Sequence, residues 1–198
     1  MRNKTRISVL AFAVTALVLS SANASAGNWD AELAKGKIFV TTRNVGGNTP
    51  EVKVTAVINA APDKVWALVT NCNRFSTTMP RIKASKELWR KGSKVACTVT
   101  VDLPWPLSDL TSTTLATHTV KADYRARVWK LVSGDYTQNR GSWVLRPFKG
   151  DKNRTHVEYT VHAEPKTWIP AWIRARAQKS TMPGIIKRLR KLLGVSVS

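Results

Sequence analysis

The chain has 198 residues, 43% of them hydrophobic, with 32 Lys and Arg against 12 Asp and Glu for a formal net charge of +20. That length bounds it to one ordinary domain with a substantial core, and no linker or internal repeat divides it further. So basic a chain favours anionic partners, of which nucleic acid and phospholipid surfaces are the two to weigh.

The first residues, MRNKTRISVLAFAVTALVLSSANASA, carry Arg2, Lys4 and Arg6, then an apolar run from Ile7 to Leu19, then Ala24-Ser25-Ala26. This order predicts a secretory signal peptide over residues 1–26, cleaved after Ala26. Its apolar core of about 13 residues is shorter than the roughly 20 a spanning helix needs, and no later segment is long and apolar enough to cross a membrane. The expected mature protein, residues 27–198, is a single exported domain, periplasmic or secreted. Its charge falls to +17 once Arg2, Lys4 and Arg6 leave. Export favours a membrane surface over nucleic acid.

Residues 27–36 read as an irregular or weakly helical lead-in, followed by KIFVTTR, a short strand candidate, and by the turn GGNTP. From Glu51 the period is 2: Val52, Val54, Ala56 and Ile58 alternate with Glu51, Lys53, Thr55 and Val57, which predicts a half-buried strand. Pro62 suits a first helical position, and Val65, Trp66, Leu68 and Val69 predict a short helix ending near Asn71. A second helical piece is expected from Phe75 to Met79, stopped by Pro80.

Two cysteines, Cys72 and Cys97, flank the next stretch. An even number in a compartment where disulfides persist allows a bridge. Pairing and two separate buried thiols both remain open on the sequence alone.

Six strands then follow at about 82–90, 94–103, 110–121, 123–133, 139–148 and 154–164, with turn signals between them. Short connections of this kind predict an antiparallel meander. One break is peculiar: Pro104, Trp105 and Pro106 interrupt a strand that Val95, Val99 and Val101 were building. Proline cannot donate to a sheet ladder, so that strand has to end near Leu103. From Pro170 to Leu193 the period returns to 3.6, with Trp172, Ile173, Ala175, Met182, Ile185, Ile186, Leu189, Leu192 and Leu193 as the apolar stripe and Pro183 as a kink. An antiparallel sheet with one apolar face has to bury it, and the final helix is the element long enough to cover it.

VINAAPDKVWALVTNCNRF, MPRI, DLPWPLSD, the SGD turn, the GSW strand and the helix carrying Gln178-Lys179-Ser180-Thr181-Met182-Pro183 together resemble the START-like (SRPBCC) branch of the Bet v 1, or helix-grip, superfamily. That grouping includes lipid-transfer domains, coenzyme Q-binding proteins and polyketide cyclases or aromatases. The resemblance spans about Gly36 to Leu193, and LPWPLSD at Leu103 to Asp109 is its most specific piece. It implies an α+β fold in which a seven-stranded antiparallel sheet grips the last helix around a hydrophobic cavity. The ligand stays open, because this superfold serves binding proteins and enzymes alike.

On that fold the LPWPLS loop joins two neighbouring strands at the cavity mouth, near the turn at Ser133 to Gln138 and the PKTWIPAW segment. Pro104, Trp105, Pro106, Leu107, Trp168 and Trp172 are then expected at one rim. Tryptophans on stiffened loops suit a gate or a foot in a membrane interface, and equally a packed plug that closes the barrel end. Strand parity and the helix stripe nominate Val95, Cys97, Val99, Val101, Leu110, Trp129, Leu131, Trp143, Leu145, Tyr159, Val161 and Ile173 as cavity residues.

IIKRLRKLL sets aliphatics on one side of the final helix and Lys187, Arg188, Arg190 and Lys191 on the other. With Arg174, Arg176 and Lys179 this basic back is expected to face solvent and attract anionic lipid. Nucleic acid is not an expected partner, since the aromatics fall where a core is predicted.

Catalytic signals are sparse. His156 and His162 lie six positions apart, about 20 Å on an extended strand, too far to share a metal. With Glu158 and Glu164 they are expected on the solvated outer face. No G-x-S-x-G, Walker loop, H-E-x-x-H or paired-cysteine zinc spacing is present. Asp102, Asp109, Asp123 and Asp135 fall at strand ends, where turns and caps explain them. The expectation is therefore a monomeric carrier of a lipid, sterol-like or isoprenoid molecule that meets membranes transiently and needs no cofactor or metal. A cofactor-free cyclase using the same cavity is the alternative.

Overall fold

The computed structural model describes residues 29–195. The expected signal peptide and its cleavage site lie outside the described residues. The lead-in is helical over residues 29–34 (α1). It is followed by β1 (Phe39–Arg43), β2 (Glu51–Ile58), α2 (Pro62–Thr70), a 3-10 turn (Cys72–Arg74) and α3 (Phe75–Thr78). The meander is β3 (Ile82–Lys91), β4 (Lys94–Val101), β5 (Leu110–Lys121), β6 (Tyr124–Gly134), β7 (Tyr136–Phe148) and β8 (Asp151–Pro165). The C-terminal helical stretch comprises α4 (Ala171–Arg176), a π turn (Ala177–Thr181) and α5 (Met182–Leu192).

One antiparallel sheet holds every strand, in the order β1-β2-β8-β7-β6-β5-β4-β3. It has eight strands rather than the seven the family likeness implied. The additional one is β1, which adds to the edge of β2 with Phe39 opposite Thr55 and Arg43 opposite Glu51. The meander hairpins are tight. Lys149 and Gly150 both take positive φ, 52° and 82°, which a two-residue turn twisted to match its strands requires. The break expected over Ser133 to Gln138 contracts to Asp135 alone. Its carboxylate accepts the Thr111 N–H at 2.7 Å, and a register shift between Tyr136 and Gln138 lets β7 begin at once.

The concave face closes on α5. Val54, Ala56 and Ile58 of β2, Leu145 of β7 and Val157 of β8 meet Ile185, Ile186 and Leu189, with Val65 and Val69 of α2 completing the cluster. Period-2 and period-3.6 stripes thus bury each other, which is why the fold needs both. Among the described residues no helix is long and apolar enough to cross a membrane.

The distortion expected at Pro183 lies one turn earlier. Pro183 has no N–H and its ring crowds the carbonyl four residues back, at Lys179. The chain accommodates this with the π turn, in which the Met182 N–H reaches back to the Ala177 carbonyl.

Candidate functional site

Between the concave face and α5 lies a cavity of about 280 Å³. Its walls come from six strands: Ile82 of β3, Val99 and Val101 of β4, Ser112 and Thr114 of β5, Arg127 and Trp129 of β6, Trp143 of β7, and Tyr159 and Val161 of β8. Phe75, Met79, Met182 and Ile185 close it from the helices. The aromatic wall is ordered. Trp143 stacks on Tyr159 at 4.3 Å between centroids, and Trp129 lies 6.1 Å from the same ring. Trp129 donates its indole N–H to Asn139 Oδ1 at 3.1 Å, and Asn139 donates to Ser112 Oγ at 3.0 Å. That chain of bonds fixes one side of the wall.

The twelve residues nominated from the sequence divide. Val99, Val101, Trp129, Trp143, Tyr159 and Val161 line this cavity. Val95 and Cys97 instead pack behind it against Cys72 and Phe75, where Cys72 and Cys97 form a disulfide with their Cα atoms 6.2 Å apart. Leu145 is sealed in the sheet–helix core. Leu110 and Ile173 line an adjoining chamber of about 200 Å³, which shares Tyr136, Val161, Ala163 and Met182 with the first. Leu131 packs beside that chamber's apolar base without lining either space. Parity assigns a face, but position along the face decides whether a side chain meets α5, the bridge or open space.

The second chamber runs to the rim. Leu103 and Leu107 of the Pro-rich loop pack with Leu110, Tyr136, Ile169 and Ile173 into one cluster. From this base Trp105, Trp168 and Trp172 project outwards, 90%, 74% and 59% exposed. The packed-plug alternative therefore does not describe them. The prolines stiffen a loop whose leucines anchor it and whose tryptophan is left in water. Asp109 closes the loop at its base, accepting the Leu103 N–H at 3.3 Å and the Lys83 ammonium at 2.6 Å. Lys83 and that N–H hold its carboxyl below the usual range. Pro104 and Leu107 are half-buried, while Pro106 is exposed.

The basic back of the final helix also divides. Arg176, Lys179, Lys187, Arg188 and Lys191 are exposed. Arg188 nevertheless donates twice to the Thr77 carbonyl, at 2.9 and 3.2 Å. Arg174 is half-buried and donates to the Ile169 carbonyl at 3.1 Å. Arg190 does not face outward at all. It is buried, donating to the carbonyls of Gly36 at 2.9 Å and Val57 at 2.6 Å. Its position four residues after Ile186 places it on the gripped face.

His162 also departs from expectation. It is 2% exposed, with Nε2 3.1 Å from the Thr49 carbonyl. The loop before β2 covers this part of the convex face, tied down by Glu164. That carboxylate accepts the N–H groups of Asn48 and Thr49 at 3.0 Å each and the Thr49 hydroxyl at 2.6 Å. These bonds hold Glu164 below the usual carboxylate range against the opposing effect of burial. No group of three His, Cys, Asp or Glu side chains that could hold a metal occurs among the described residues.

Sequence reading missed the polar members of the cavity. Ser112 and Thr114 share parity with Leu110, and Arg127 shares parity with Trp129 and Leu131. The available signal was a charged residue at an inward position of an otherwise apolar strand face. Burial pushes the Tyr159 phenol upward, with the nearby Arg127 charge acting the other way. It raises the Tyr136 phenol to about 12. Both therefore remain hydroxyl donors at neutral pH.

A family model for polyketide cyclase/dehydrase and lipid transport proteins matches residues 58–190. No curated protein sequence matches the chain. Among solved structures, a fragment of a STAR-related lipid transfer protein from Xanthomonas axonopodis is 26% identical, with 79% of this chain and 93% of that chain covered at a TM-score of 0.68. Human StAR-related lipid transfer protein 5 is 11% identical, with 87% and 98% covered at 0.68. The Zhui aromatase/cyclase from a Streptomyces species is 16% identical, with 73% and 91% covered at 0.54. The sheet gripping its C-terminal helix is accordingly a START-like α+β fold.

Proposed function

The chain belongs to the polyketide cyclase/dehydrase and lipid transport family, and on that premise we propose that it carries a hydrophobic molecule, of lipid, sterol-like or isoprenoid type, between membranes. The observation that carries this reading is the pairing of an apolar cavity with a rim of three exposed tryptophans. The mechanism is desolvation without covalent chemistry. Apolar surface that a bilayer would shelter is sheltered by Val99, Val101, Trp129, Trp143 and Val161, at a gain of roughly 25 cal/mol per Å² removed from water. Trp105, Trp168 and Trp172 enter the membrane interface, where an amphipathic ring is favoured, and bring the chamber mouth to the bilayer. Arg176, Lys179, Lys187, Arg188 and Lys191 add up to about 1 kcal/mol per charge near an anionic surface.

The carrier works as an exported monomer. Export is supported by the charged, apolar and small-residue order of residues 1–26 and by a buried disulfide of the kind that persists in oxidising compartments. A second reading, a cyclase-like enzyme in the same cavity, draws on Arg127 and Tyr159, polar groups on the wall of an otherwise apolar space.

Native mass spectrometry of the protein purified from its own compartment, followed by solvent extraction, tests the carrier. The expected result is a co-purifying apolar molecule, lost from a folded Val99→Trp variant whose indole fills the cavity. An empty protein that takes up nothing from a broad lipid panel overturns the carrier. Turnover abolished by Tyr159→Phe with binding intact would favour the enzyme.

A further inference from the structure

Arg127 is 5% exposed in the middle of the sheet, yet among the described residues no carboxylate meets it. Its Nη2 donates to Cys97 Sγ at 3.6 Å, a weak acceptor. Its guanidinium carbon sits 5.4 Å from the Phe75 ring centroid and 5.5 Å from that of Trp129. Nε, which carries a proton, has no partner. Glu87, the acidic residue whose charge reaches this position, is engaged by Arg90 at 2.6 Å. Burial lowers the Arg127 pKa to about 10, so the group stays charged at neutral pH. A buried charge without a counter-charge is one of the most costly arrangements a core can hold.

The cavity supplies the missing context. Arg127, Trp143 and Tyr159 stand in one cross-strand row, Arg127 opposite Trp143 and Trp143 opposite Tyr159. Arg127 and Tyr159 both line the cavity, as do Ser112 and Thr114. The Ser112 oxygen already accepts from Asn139, which leaves its own O–H to donate. The cavity lining thus carries several donors and no acidic side chain.

We infer that Arg127 recognises an oxyanion, carboxylate or phosphate, at one end of the apolar ligand, so that the molecule carried is an amphiphilic acid rather than a neutral lipid. This rests on the carrier reading and narrows it. The planar fork of Arg127 accommodates two oxygens of such a group, with Tyr159 in the same cross-strand row as a further donor. The apolar remainder lies along Val99, Val101 and Val161 towards the chamber at the rim. Entry of the anion supplies the counter-charge that the fold omits.

Titration calorimetry with dodecanoate, dodecyl phosphate and dodecanol tests this. Hydrogen bonds to a charged group predict that the wild type binds one or both acids about 10- to 100-fold more tightly than the alcohol. The tighter acid identifies whether the oxyanion is a carboxylate or a phosphate. Arg127→Met is expected to erase the preference while keeping affinity for dodecanol, because an apolar residue at a buried charged position is commonly neutral or stabilising. Arg127→Lys, which keeps the charge without the fork, is expected to retain a reduced preference and serves if the methionine variant does not fold. Equal binding of acids and alcohol by the wild type overturns this inference and leaves the carrier standing. Failure of all three to bind also overturns this inference, whereas the carrier falls only if the broad lipid panel fails as well. A preference that survives Arg127→Met assigns the anion to another group and overturns the role of Arg127.

Discussion

Arg190 near the end of α5 and Val57 in β2, 133 positions apart, are joined by a 2.6 Å hydrogen bond from the guanidinium to the backbone carbonyl. A second bond reaches the Gly36 carbonyl at 2.9 Å. One side chain thus ties the gripping helix both to the sheet and to the segment that precedes β1. Sequence reading placed Arg190 with the outward basic residues. The structure makes it a strut.

Replacing Arg190 by Met leaves two carbonyls without their charged donor. The expected loss is about 2–4 kcal/mol of stability, from bonds to charged groups at roughly 1.5–3 kcal/mol each and partial access of water to the freed carbonyls. Lys187→Met, on the exposed side of the same helix, is expected to change stability by no more than about 0.5 kcal/mol. Urea unfolding of the two variants checks the contrast. Equal losses would show that helix charge in general, rather than the Arg190 bonds, secures α5.

The Cys72–Cys97 bridge ties the 3-10 turn after α2 to β4, closing a loop of 25 residues' separation. In the chain-entropy account such a loop contributes about 3.5 kcal/mol by restricting the unfolded chain. The double substitution to Ala should lower the urea midpoint accordingly, and a reductant should reproduce the effect on the wild type. An unchanged midpoint in both would mean that the surrounding cluster of Phe75, Val95 and Val99 holds the region without the bond.

Trp105, Trp168 and Trp172 touch solvent, so truncating any one to Ala should alter stability by less than about 1 kcal/mol. In vesicle sedimentation, each truncation should lower partitioning by about 5- to 30-fold, the equivalent of 1–2 kcal/mol for an inserted aromatic ring. Exchange of a bound lipid should slow in step. If partitioning is unchanged in all three variants, the rim has no membrane role.

Much of this architecture was legible because simple periods survive in it. Val52, Val54, Ala56 and Ile58 announce β2 at period 2, and Ile185, Ile186 and Leu189 announce the gripped helix. Lys149-Gly150 and Lys91-Gly92 announce hairpins. The remainder depended on which distant segment covers a face. His162 points to the convex side as its parity requires, but the loop before β2 folds over it. Arg190 lies at helical spacing from Ile186, yet its carbonyl partners come from β2 and from the turn before β1. For Arg127 the inward parity was readable beside Trp129. What could not be read was that no acidic residue on the neighbouring strands meets it.

That missing counter-charge has a consequence for pH. His118 on β5 sits edge-on to Trp66 at 5.2 Å, with its Nε2 buried and unpartnered. Burial first, and then the charges of Arg127 and Arg90, lower its pKa from 6.5 to about 4, with Glu87 opposing. The unfolded chain takes up this proton near pH 6.5 and the folded chain only near pH 4. Stability linked to His118 is therefore complete above about pH 6.5 and is lost progressively as pH falls to about 4. His156, also lowered, adds in the same direction, and the lowered carboxyls of Asp109, Glu158 and Glu164 add their losses at lower pH. His118→Phe keeps a ring against Trp66 without a titrating group, so its melting temperature should decline less than that of the wild type between pH 6.5 and 4.5. Proton NMR of the His118 ring gives the same answer directly. It should titrate near pH 4 in the wild type and higher in Arg127→Met, where one of the opposing charges is gone. A bound oxyanion should raise it as well, by neutralising that charge in place. Titration of His118 near 6.5 in the empty wild type would show that neither burial nor Arg127 acts on it, and the charge environment assigned to this end of the cavity would have to be abandoned.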